Sequence, residues 1–502
     1  MLLWLPWRAA ATPQRLALVA PDGARLSYAE LHERSDAVAR QLVAQGVRAN
    51  DRVGVLLPNS TEFATIAHAV MRLGAVLLPL NLRATSRELA WQLSDAGVRV
   101  LACAASTAVA ATTVTSHVPN VAIVRIGDDD VDAAGLMARI TPPAVPHEMP
   151  FRDRAPADDP MAIVYTSGTT GTPKGAILTY DNFWWSAMGS ALNLGIREDD
   201  RWLAPLPLFH VGGLSVLTRS AIYGTTAVIH DGFDAARVNA TIDRERITMV
   251  SLVPTMLGRL LDDRGATPFP QSLRCVLLGG GPPSAELIER CVAMGVPVAQ
   301  TYGLTESCSQ ATTLPPGEAT RRPGSAGRPL YPTEIRVVRD EGDDAGAGEA
   351  GEILLRGPAV TPGYWNDPEA TARALADGWL RTGDIGQLDD DGYLYMLDRR
   401  DDLIVSGGEN VYPAEVEDAL LSHPAVAEVA VIGVADEEWG QRVVAVVRLT
   451  TSGVTEQPDG NELQLHCRTL LAGYKLPREI RFTTQPLPRT ASGKVKRGSI
   501  ER

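Results

Sequence analysis

The stretch YTSGTTGTPKG, residues 165–175, carries more information about the fold and chemistry of this chain than any other segment. Its glycines permit close approaches of the backbone to a ligand. One serine and four threonines supply hydroxyl donors, and Lys174 adds a mobile positive charge. The apolar run 161–164 before it indicates a buried strand, so the loop leaves the sheet at an edge where phosphates commonly bind. Because Gly175 follows the lysine, where a Walker A loop has serine or threonine, the segment predicts a polyphosphate-binding loop of another kind.

Length, charge and cysteine content exclude several classes of protein. A chain of 502 residues with 45% hydrophobic and 21% charged residues is expected to fold into about two to four globular domains. The net charge of −13 argues against general binding to nucleic acids or anionic membranes. No segment resembles a signal peptide or a membrane span, and the five cysteines lack metal-ligand spacing. We expect a cytoplasmic protein with small-molecule partners, and a homo-oligomer is compatible with the sequence.

Helical and strand patterns alternate along the first half of the chain. A capping box, Ser27-x-x-Glu30, begins a helix, an apolar strand follows at 52–57, and a second box at Thr85-x-x-Glu88 begins another helix. Such alternation is typical of a mostly parallel sheet covered by helices. The sequence therefore predicts an α/β fold.

The pattern changes in the last third of the chain. From residue 324 onward short strands alternate with glycine turns, and beyond residue 398 a compact tail has a strand and a helix of its own. We therefore predict an N-terminal domain at 1–400, with a β-rich subdomain at about 324–398, and a small C-terminal domain at 401–502.

Four further motifs follow the phosphate loop in order. They are QTYGLTE at 300–306, RTGD at 381–384, DRRDDLIVSGGENVYPAEVE at 398–417 and PRTASGKVKR at 488–497. With the loop, they resemble the core motifs of acyl- and aryl-CoA synthetases, which belong to the adenylate-forming superfamily. The resemblance covers almost the whole chain. It implies a large N-terminal domain of two α/β subdomains plus a β-rich subdomain, and a mobile α+β C-terminal domain that turns about a hinge residue, Asp401.

The resemblance also implies the chemistry. A substrate carboxylate attacks the α-phosphate of ATP, and the thiol of coenzyme A then attacks the acyl adenylate. Lys494 would reach the α-phosphate and the carboxylate, while Glu306 and the hydroxyl of Thr169 would hold Mg²⁺. Asp384 would accept the ribose hydroxyls with help from Arg399. The residues implied to contact ATP or coenzyme A are Thr166, Ser167, Gly168, Thr170, Gly171, Lys174, Gly280, Gly281, Thr301, Tyr302, Gly303, Thr305, Asp384, Arg399, Ser406, Gly407, Gly408, Trp439, Tyr474 and Lys475.

Two segments between the motifs bear on the acid that is activated. Residues 177–217 and 272–310 are similar to the 2-succinylbenzoate-CoA ligases of menaquinone biosynthesis, although fatty-acyl ligases share the run PLPLFH at 205–210. A pocket for 2-succinylbenzoate must hold a ring and a second, unreactive carboxylate, whose burial without a partner would be costly. We expect His210, Ser307 or Ser309 to supply donors. A fatty-acyl or other aryl-CoA synthetase, or a freestanding enzyme that loads a carrier protein, remains an alternative.

Overall fold

A computed structural model places three sheets along the chain. The structure describes residues 1–127, 151–166, 173–281, 283, 285–339, 342–398, 404–450, 458–488, 497 and 500. Within these residues no helix is long and apolar enough to cross a membrane.

The first sheet has six strands in the order β6-β5-β3-β4-β7-β8, parallel except for the β7–β8 pair. Strands β1 and β2 belong to the second sheet. The first fourteen elements are α1 Trp4–Ala11, β1 Leu16–Val19, β2 Arg25–Ser27, α2 Tyr28–Ala44, β3 Arg52–Leu56, α3 Thr61–Leu73, β4 Val76–Pro79, α4 Ser86–Asp95, β5 Val100–Cys103, α5 Ala108–Thr115, β6 Ala122–Arg125, β7 Pro160–Thr166, β8 Lys174–Thr179 and α6 Tyr180–Leu194.

Both predicted capping boxes are present. Ser27 and Glu30 exchange side-chain and backbone hydrogen bonds at the start of α2, and Thr85 and Glu88 do the same at the start of α4. Each box satisfies backbone donors that the first helical turn leaves without partners. The box residues therefore set where these helices begin.

The second sheet has fourteen strands and continues from a parallel part into an antiparallel part. Its order is β16-β17-β19-β20-β15-β14-β13-β12-β11-β9-β10-β1-β2, with β18 paired to β19. The elements that follow α6 are β9 Arg201–Ala204, α7 Val211–Tyr223, β10 Thr226–Ile229, α8 Ala235–Arg244, β11 Met249–Leu252, α9 Pro254–Arg264, β12 Cys275–Leu278, α10 Ala285–Ala293, β13 Val298–Tyr302, β14 Thr312–Thr313, β15 Ser325–Pro329, β16 Glu334–Val338, β17 Gly351–Arg356, α11 Pro368–Ala374, β18 Leu375–Ala376, β19 Trp379–Leu388 and β20 Leu394–Asp398.

The third sheet lies in the C-terminal region, a name used here for residues 404–500 as described. It has five strands in the order β22-β21-β24-β23, with β25 beside β24. A cluster of buried apolar residues from this region alone forms its core. The elements are β21 Ile404–Ser406, β22 Glu409–Val411, α12 Pro413–Leu421, β23 Val426–Asp436, β24 Gly440–Leu449, α13 Gly460–Arg468 and β25 Glu479–Phe482.

The predicted fold class is confirmed: an α/β region with a β-rich part is followed by a small α+β region. The sequence did not indicate that the β-rich part continues the parallel sheet, which it does through the short strands β14 and β15. Parallel strands β11, β12 and β13 end at one edge, where ligands bind in sheets of this type. The domain boundaries at 324, 398 and 400 remain predictions.

Candidate active site

The phosphate loop connects two paired strands. Thr166 at the end of β7 lies in register with Lys174 at the start of β8, and its hydroxyl donates to the Lys174 carbonyl over 3.4 Å. A Cβ at Gly175 would lie 2.8 Å from the Ile163 side chain, so the pairing needs glycine there. The predicted contacts Ser167, Gly168, Thr169, Thr170 and Gly171 lie outside the described residues.

A tyrosine that sequence reasoning missed joins two of the predicted residues. The Lys174 ammonium lies 5.5 Å from the centroid of the Tyr364 ring, and the Tyr364 hydroxyl donates to Oε1 of Glu306 over 2.8 Å. Glu306 lies in a 3₁₀ turn, Thr305–Ser307, just after β13. One side chain therefore brings the lysine of the phosphate loop and the candidate metal ligand together.

The surroundings of Glu306 fit Mg²⁺. In the described part of the chain no group of three or more His, Cys, Asp or Glu residues could hold a metal ion by itself. Mg²⁺ commonly takes only one or two carboxylates together with substrate phosphate oxygens. Glu306, which is half-buried and close to Lys174 through Tyr364, offers such a carboxylate.

The predicted ribose carboxylate, Asp384, contacts Tyr302, another residue implied to contact the nucleotide. Oδ2 of Asp384, on β19, accepts a hydrogen bond of 2.8 Å from the Tyr302 hydroxyl at the end of β13. Asp384 is 8% exposed and Tyr302 6%. A buried carboxylate that receives one neutral donor retains acceptor capacity for further hydroxyl groups. The predicted helper Arg399 lies outside the described residues.

Glycines shape the edge next to this pair. Gly280 follows β12 with a φ of +82°, and a Cβ there would lie 2.9 Å from Val253. A Cβ at Gly303 would lie 1.8 Å from the Ser309 carbonyl oxygen, so only glycine permits that close turn. Thr301 uses its hydroxyl within the sheet, where it donates to the Thr312 carbonyl over 2.7 Å. Its predicted role at the nucleotide is therefore limited to its backbone. Gly281 and Thr305 lie beside these residues at the same edge.

His210 contacts the C-terminal region. It precedes α7, and its Nε2 lies 3.0 Å from Oε2 of Glu409 on β22. Arg83 contacts the other oxygen of Glu409 at 3.2 Å. Burial would raise the pKa of the Glu409 carboxyl, but the hydrogen bond and charge of His210, with Arg83, outweigh it and hold the pKa below its usual range. The imidazole thus lies where the N-terminal and C-terminal regions meet.

The two serines expected in the acyl pocket differ. The Ser307 hydroxyl donates to the Leu304 carbonyl over 3.1 Å and accepts from the Leu304 amide over 3.0 Å, and the residue is 1% exposed. The turn therefore already uses this hydroxyl, and donation by Ser307 to a substrate stays a prediction. Ser309 has a φ of +93° and is half-buried, and its role stays a prediction.

A buried arginine lies behind this serine loop. Nη2 of Arg219, on α7, donates to the Ser186 hydroxyl over 3.0 Å, and that hydroxyl donates to the Cys308 carbonyl over 2.6 Å. Arg219 is 2% exposed, and its Nε has no hydrogen-bond partner among the described residues. Burial lowers the pKa of its guanidinium. Its only signal in the sequence was an arginine within an otherwise uncharged helix.

Residues implied to meet coenzyme A surround Trp439. The Gly407 amide donates to the Trp439 carbonyl over 2.8 Å, and a Cβ at Gly407 would lie 2.8 Å from the indole. Gly408 faces Val253 of the N-terminal region across the boundary, and Ser406 is buried. The exposed guanidinium of Arg478, which sequence reasoning missed, lies 4.0 Å from the Trp439 ring centroid. A surface of glycine and aromatic residues with an exposed cation beside it suits coenzyme A.

Lys475 lies between two carboxylates. Its ammonium donates to Oε1 of Glu88 over 2.5 Å and to Oε1 of Glu415 over 2.6 Å, and the residue is 5% exposed. In this arrangement two carboxylates occupy the cation, and its contact with coenzyme A stays a prediction. The Tyr474 hydroxyl next to it accepts from Asn81 over 3.4 Å, again across the boundary.

Two predicted residues of the C-terminal motifs cannot be placed. Lys494 and the hinge residue Asp401 lie outside the described residues. The described residues nevertheless form a cavity at the boundary. Its lining comes from both regions and includes Thr166, His210, Thr305, Glu409 and Tyr474.

Solved structures of one relative differ in how well they match this chain. A double mutant of o-succinylbenzoate CoA synthetase (MenE) from Bacillus subtilis, bound with its product analogue OSB-NCoA, matches with a TM-score of 0.90 and 42% identity, over 99% of this chain and 98% of that chain. The same enzyme in complex with ATP and magnesium ion matches with a TM-score of 0.74 and 41% identity, over 99% of both chains. Because sequence identity and coverage are nearly equal, the difference in TM-score indicates that the domains are arranged differently in the two solved structures.

Sequence comparison covers the same length. The 2-succinylbenzoate–CoA ligase of Geobacillus kaustophilus (strain HTA426) is 46% identical over 500 residues, which are 99% of this chain and 97% of that protein. The AMP-binding enzyme C-terminal domain matches residues 415–494, and the AMP-binding enzyme family matches residues 5–365. The chain belongs to the AMP-binding enzyme family.

Proposed function

We propose that this chain is an ATP-dependent acid–thiol ligase that converts 2-succinylbenzoate, ATP and coenzyme A into 2-succinylbenzoyl-CoA, AMP and pyrophosphate, a step of menaquinone biosynthesis. The full-length identity of 46% to a 2-succinylbenzoate–CoA ligase carries the proposal. The reaction uses ATP with Mg²⁺, and coenzyme A is the second substrate. The cytoplasm, where these substrates are available, is the proposed location.

The first half-reaction forms the acyl adenylate. An oxygen of the substrate carboxylate forms a bond to the α-phosphorus, the bond to the bridging oxygen breaks, and pyrophosphate leaves with the electron pair. Because the substrate supplies the nucleophile, the protein mainly has to position the groups and balance their charge. Lys174 and the phosphate loop would hold the β- and γ-phosphates, and Lys494 would approach the α-phosphate.

The two carboxylates assigned to the rest of ATP each accept a hydrogen bond from a tyrosine hydroxyl. Glu306 and Thr169 would hold Mg²⁺, which supplies positive charge to the phosphate oxygens when bound. The Tyr364 hydroxyl supports this role because it fixes Oε1 of Glu306 without neutralising the carboxylate. In the same way the Tyr302 hydroxyl fixes Oδ2 of Asp384 and leaves Oδ1 for the ribose hydroxyls.

The second half-reaction transfers the acyl group. The thiol sulfur forms a bond to the acyl carbon, the bond from that carbon to the AMP oxygen breaks, AMP leaves with the electron pair, and the thiol proton passes to solvent. Coenzyme A would approach His210 along the surface formed by Trp439, Gly407 and Gly408, with its phosphates near Arg478. The cavity at the boundary of the two regions, which His210 and Tyr474 line, supports the end of this path next to His210.

The unreactive carboxylate of 2-succinylbenzoate requires compensation. The Ser186 hydroxyl links Arg219 to the Cys308 carbonyl, which belongs to the loop that contains Ser309. Arg219 is buried and forms no ion pair within the described residues. A buried cation of this kind raises the electrostatic potential on that side of the acyl pocket. A dianionic substrate would benefit from this potential more than a fatty acid.

The experiment compares substrates in both half-reactions. With ATP and coenzyme A, thioester formation is measured for 2-succinylbenzoate, benzoate and fatty acids of eight to sixteen carbons. With coenzyme A withheld, the exchange of pyrophosphate into ATP is measured for the same acids. We expect 2-succinylbenzoate to have the highest kcat/KM in both assays. A preference for fatty acids would remove the menaquinone assignment, and thioester formation on a carrier protein alone would identify a loading enzyme.

A further inference from the structure

A buried charge cluster joins the two regions of the chain. It consists of Lys475, Glu88 and Glu415, and is called the Lys475 cluster below. The ammonium lies 2.5 Å from Oε1 of Glu88 and 2.6 Å from Oε1 of Glu415. The three side chains are 6%, 11% and 9% exposed. Solvent therefore screens these charges little, and their interactions are stronger than those of surface pairs.

The members come from different parts of the fold. Glu88 belongs to the N-terminal region, in the first turn of α4, and its Oε2 is fixed by the capping box with Thr85. Glu415 lies in the first turn of α12 and Lys475 in a short 3₁₀ turn, both in the C-terminal region. Lys475 and Glu415 would thus stay together if the C-terminal region moved, whereas the contact with Glu88 would break.

The cluster contains two carboxylates and one cation. Oε2 of Glu415 has no hydrogen-bond partner in the described part of the chain. Burial raises the pKa of the Glu415 carboxyl, the charge of Lys475 opposes this rise, and the negative charge of Glu88 adds to it. The ammonium is therefore the group that allows two buried acids to approach each other.

We propose that Lys475 is a positioning residue for the thioester-forming half-reaction: it bridges Glu88 and Glu415 and so holds the C-terminal region in the arrangement seen here. When the C-terminal region turns away for adenylation, Glu88 returns to solvent in its capping box and Lys475 keeps Glu415. The inference rests on the proposed two-step reaction. The better match of this structure to a relative bound with a product analogue than to the same relative with ATP agrees with it.

A second ionic contact lies beside the cluster and must be kept separate from it. Glu409 pairs with His210 and Arg83 across the same boundary. Variants of the Lys475 cluster leave these three residues unchanged. The titratable and charged groups that face the cluster are Glu88, Glu415, Tyr474, Glu409, Arg83 and His210.

The first test is Lys475→Met, which keeps the length of the side chain and removes its charge. When the C-terminal region then packs against the N-terminal region, Glu88 and Glu415 approach each other without a cation between them. Attack of coenzyme A on supplied 2-succinylbenzoyl adenylate should slow at least about tenfold, because like-charge contacts of this kind cost several kcal/mol. Exchange of pyrophosphate into ATP, measured without coenzyme A, should stay within about twofold of the unchanged protein, which also shows that the variant folds.

The second test is rescue from the other region. Adding Glu88→Gln to Lys475→Met removes one of the two facing charges while glutamine can still close the capping box. We expect the double variant to recover most of the thiolysis rate. Glu30→Gln in the same background is the matched control, because Glu30 closes the equivalent box of α2, is exposed and lies away from the boundary. It should recover nothing.

A pH profile separates this role from simple packing. Without the cation, the pKa of the Glu415 carboxyl should rise further, so closure is favoured at low pH and lost as the pH rises through that raised value. Thiolysis by Lys475→Met should therefore recover, relative to the unchanged protein, as the pH is lowered. Equal loss in both half-reactions, or failure of Glu88→Gln to rescue, would overturn the proposal. Absence of exchange in the unchanged protein would instead contradict the proposed function.

Discussion

The carboxylates on the ATP side and those at the boundary with the C-terminal region have different partners. On the ATP side, Asp384 and Glu306 each accept a hydrogen bond of 2.8 Å from a tyrosine hydroxyl of the N-terminal region. At the boundary, Glu409 and Glu88 are paired with charged or basic side chains of the opposite region. All four carboxylates are at least half-buried.

The difference separates ligand binding from domain positioning. A neutral donor fixes a carboxylate but leaves its negative charge for a magnesium ion or a pair of ribose hydroxyls. A cation from the other region uses that charge to hold the two regions together, and the attraction lasts only while they are in contact. Substitutions on the ATP side should therefore affect both half-reactions, while those in the C-terminal region should affect one.

Replacement of Lys494 by alanine should have the largest effect. Removing the cation that approaches the α-phosphate is expected to slow adenylation by about 10²–10³-fold, as for loss of a donor that stabilises transition-state charge. Exchange of pyrophosphate into ATP measures this step. Thiolysis of supplied acyl adenylate should be nearly unchanged.

Lys496→Ala, two residues along the same motif, is the matched control for Lys494→Ala. It should leave both half-reactions close to their normal rates. If Lys494→Ala slowed thiolysis as much as adenylation, the C-terminal region would not serve the two steps in different arrangements.

Asp384→Asn tests the ATP side. Loss of the charged acceptor should raise the KM for ATP by about tenfold or more, since hydrogen bonds to charged groups contribute about 1.5–3 kcal/mol. Because the same carboxylate would hold the ribose of the acyl adenylate, thiolysis should weaken as well. Tyr302→Phe, which removes only the hydroxyl that donates to Asp384, should have a smaller effect in the same direction. An effect confined to adenylation would contradict the assignment of Asp384 to both steps.

The fold and the motif residues could be predicted from the sequence because their signals are local. A capping box is contained in four residues, and the phosphate loop follows directly on the strand that positions it. Both capping boxes formed as predicted. Tyr302 and Asp384 are separated by 82 residues, but each lies in a motif that the sequence identifies, and their side chains meet. Such patterns do not depend on knowing which distant side chain lies opposite.

The partners between segments could not be predicted. Tyr364 lies 58 residues from Glu306, and its role depends on how the connection between β17 and α11 packs against the end of β13. The family resemblance implied a contact of Lys475 with coenzyme A, and only the tertiary structure places it between Glu88 and Glu415. For Ser307, likewise, only the structure shows that its 3₁₀ turn uses the hydroxyl.

Arg478→Ala should affect only the second half-reaction. The guanidinium that stacks on Trp439 is exposed and available to a phosphate group of coenzyme A. Its removal should raise the KM for coenzyme A by about three- to tenfold, as for loss of one charge-assisted contact, with kcat little changed. Exchange of pyrophosphate into ATP should be unaffected. Arg442→Ala, on the adjacent strand β24, serves as a control. A lower kcat without a change in KM would place Arg478 outside coenzyme A binding.

The two capping boxes give the smallest and most closely matched comparison. Ser27→Ala and Thr85→Ala each remove a side-chain cap with nearly the same hydrogen bonds, and each should lower stability by about 1 kcal/mol, measured as a shift in the thermal unfolding midpoint. Only Thr85 also fixes Glu88 opposite Lys475. Thr85→Ala should therefore slow thiolysis by about twofold, a change worth less than 1 kcal/mol. Ser27→Ala should leave both half-reactions unchanged, because its box lies away from the boundary. Equal thiolysis rates for the two variants would mean that the cap has no part in orienting Glu88 toward Lys475.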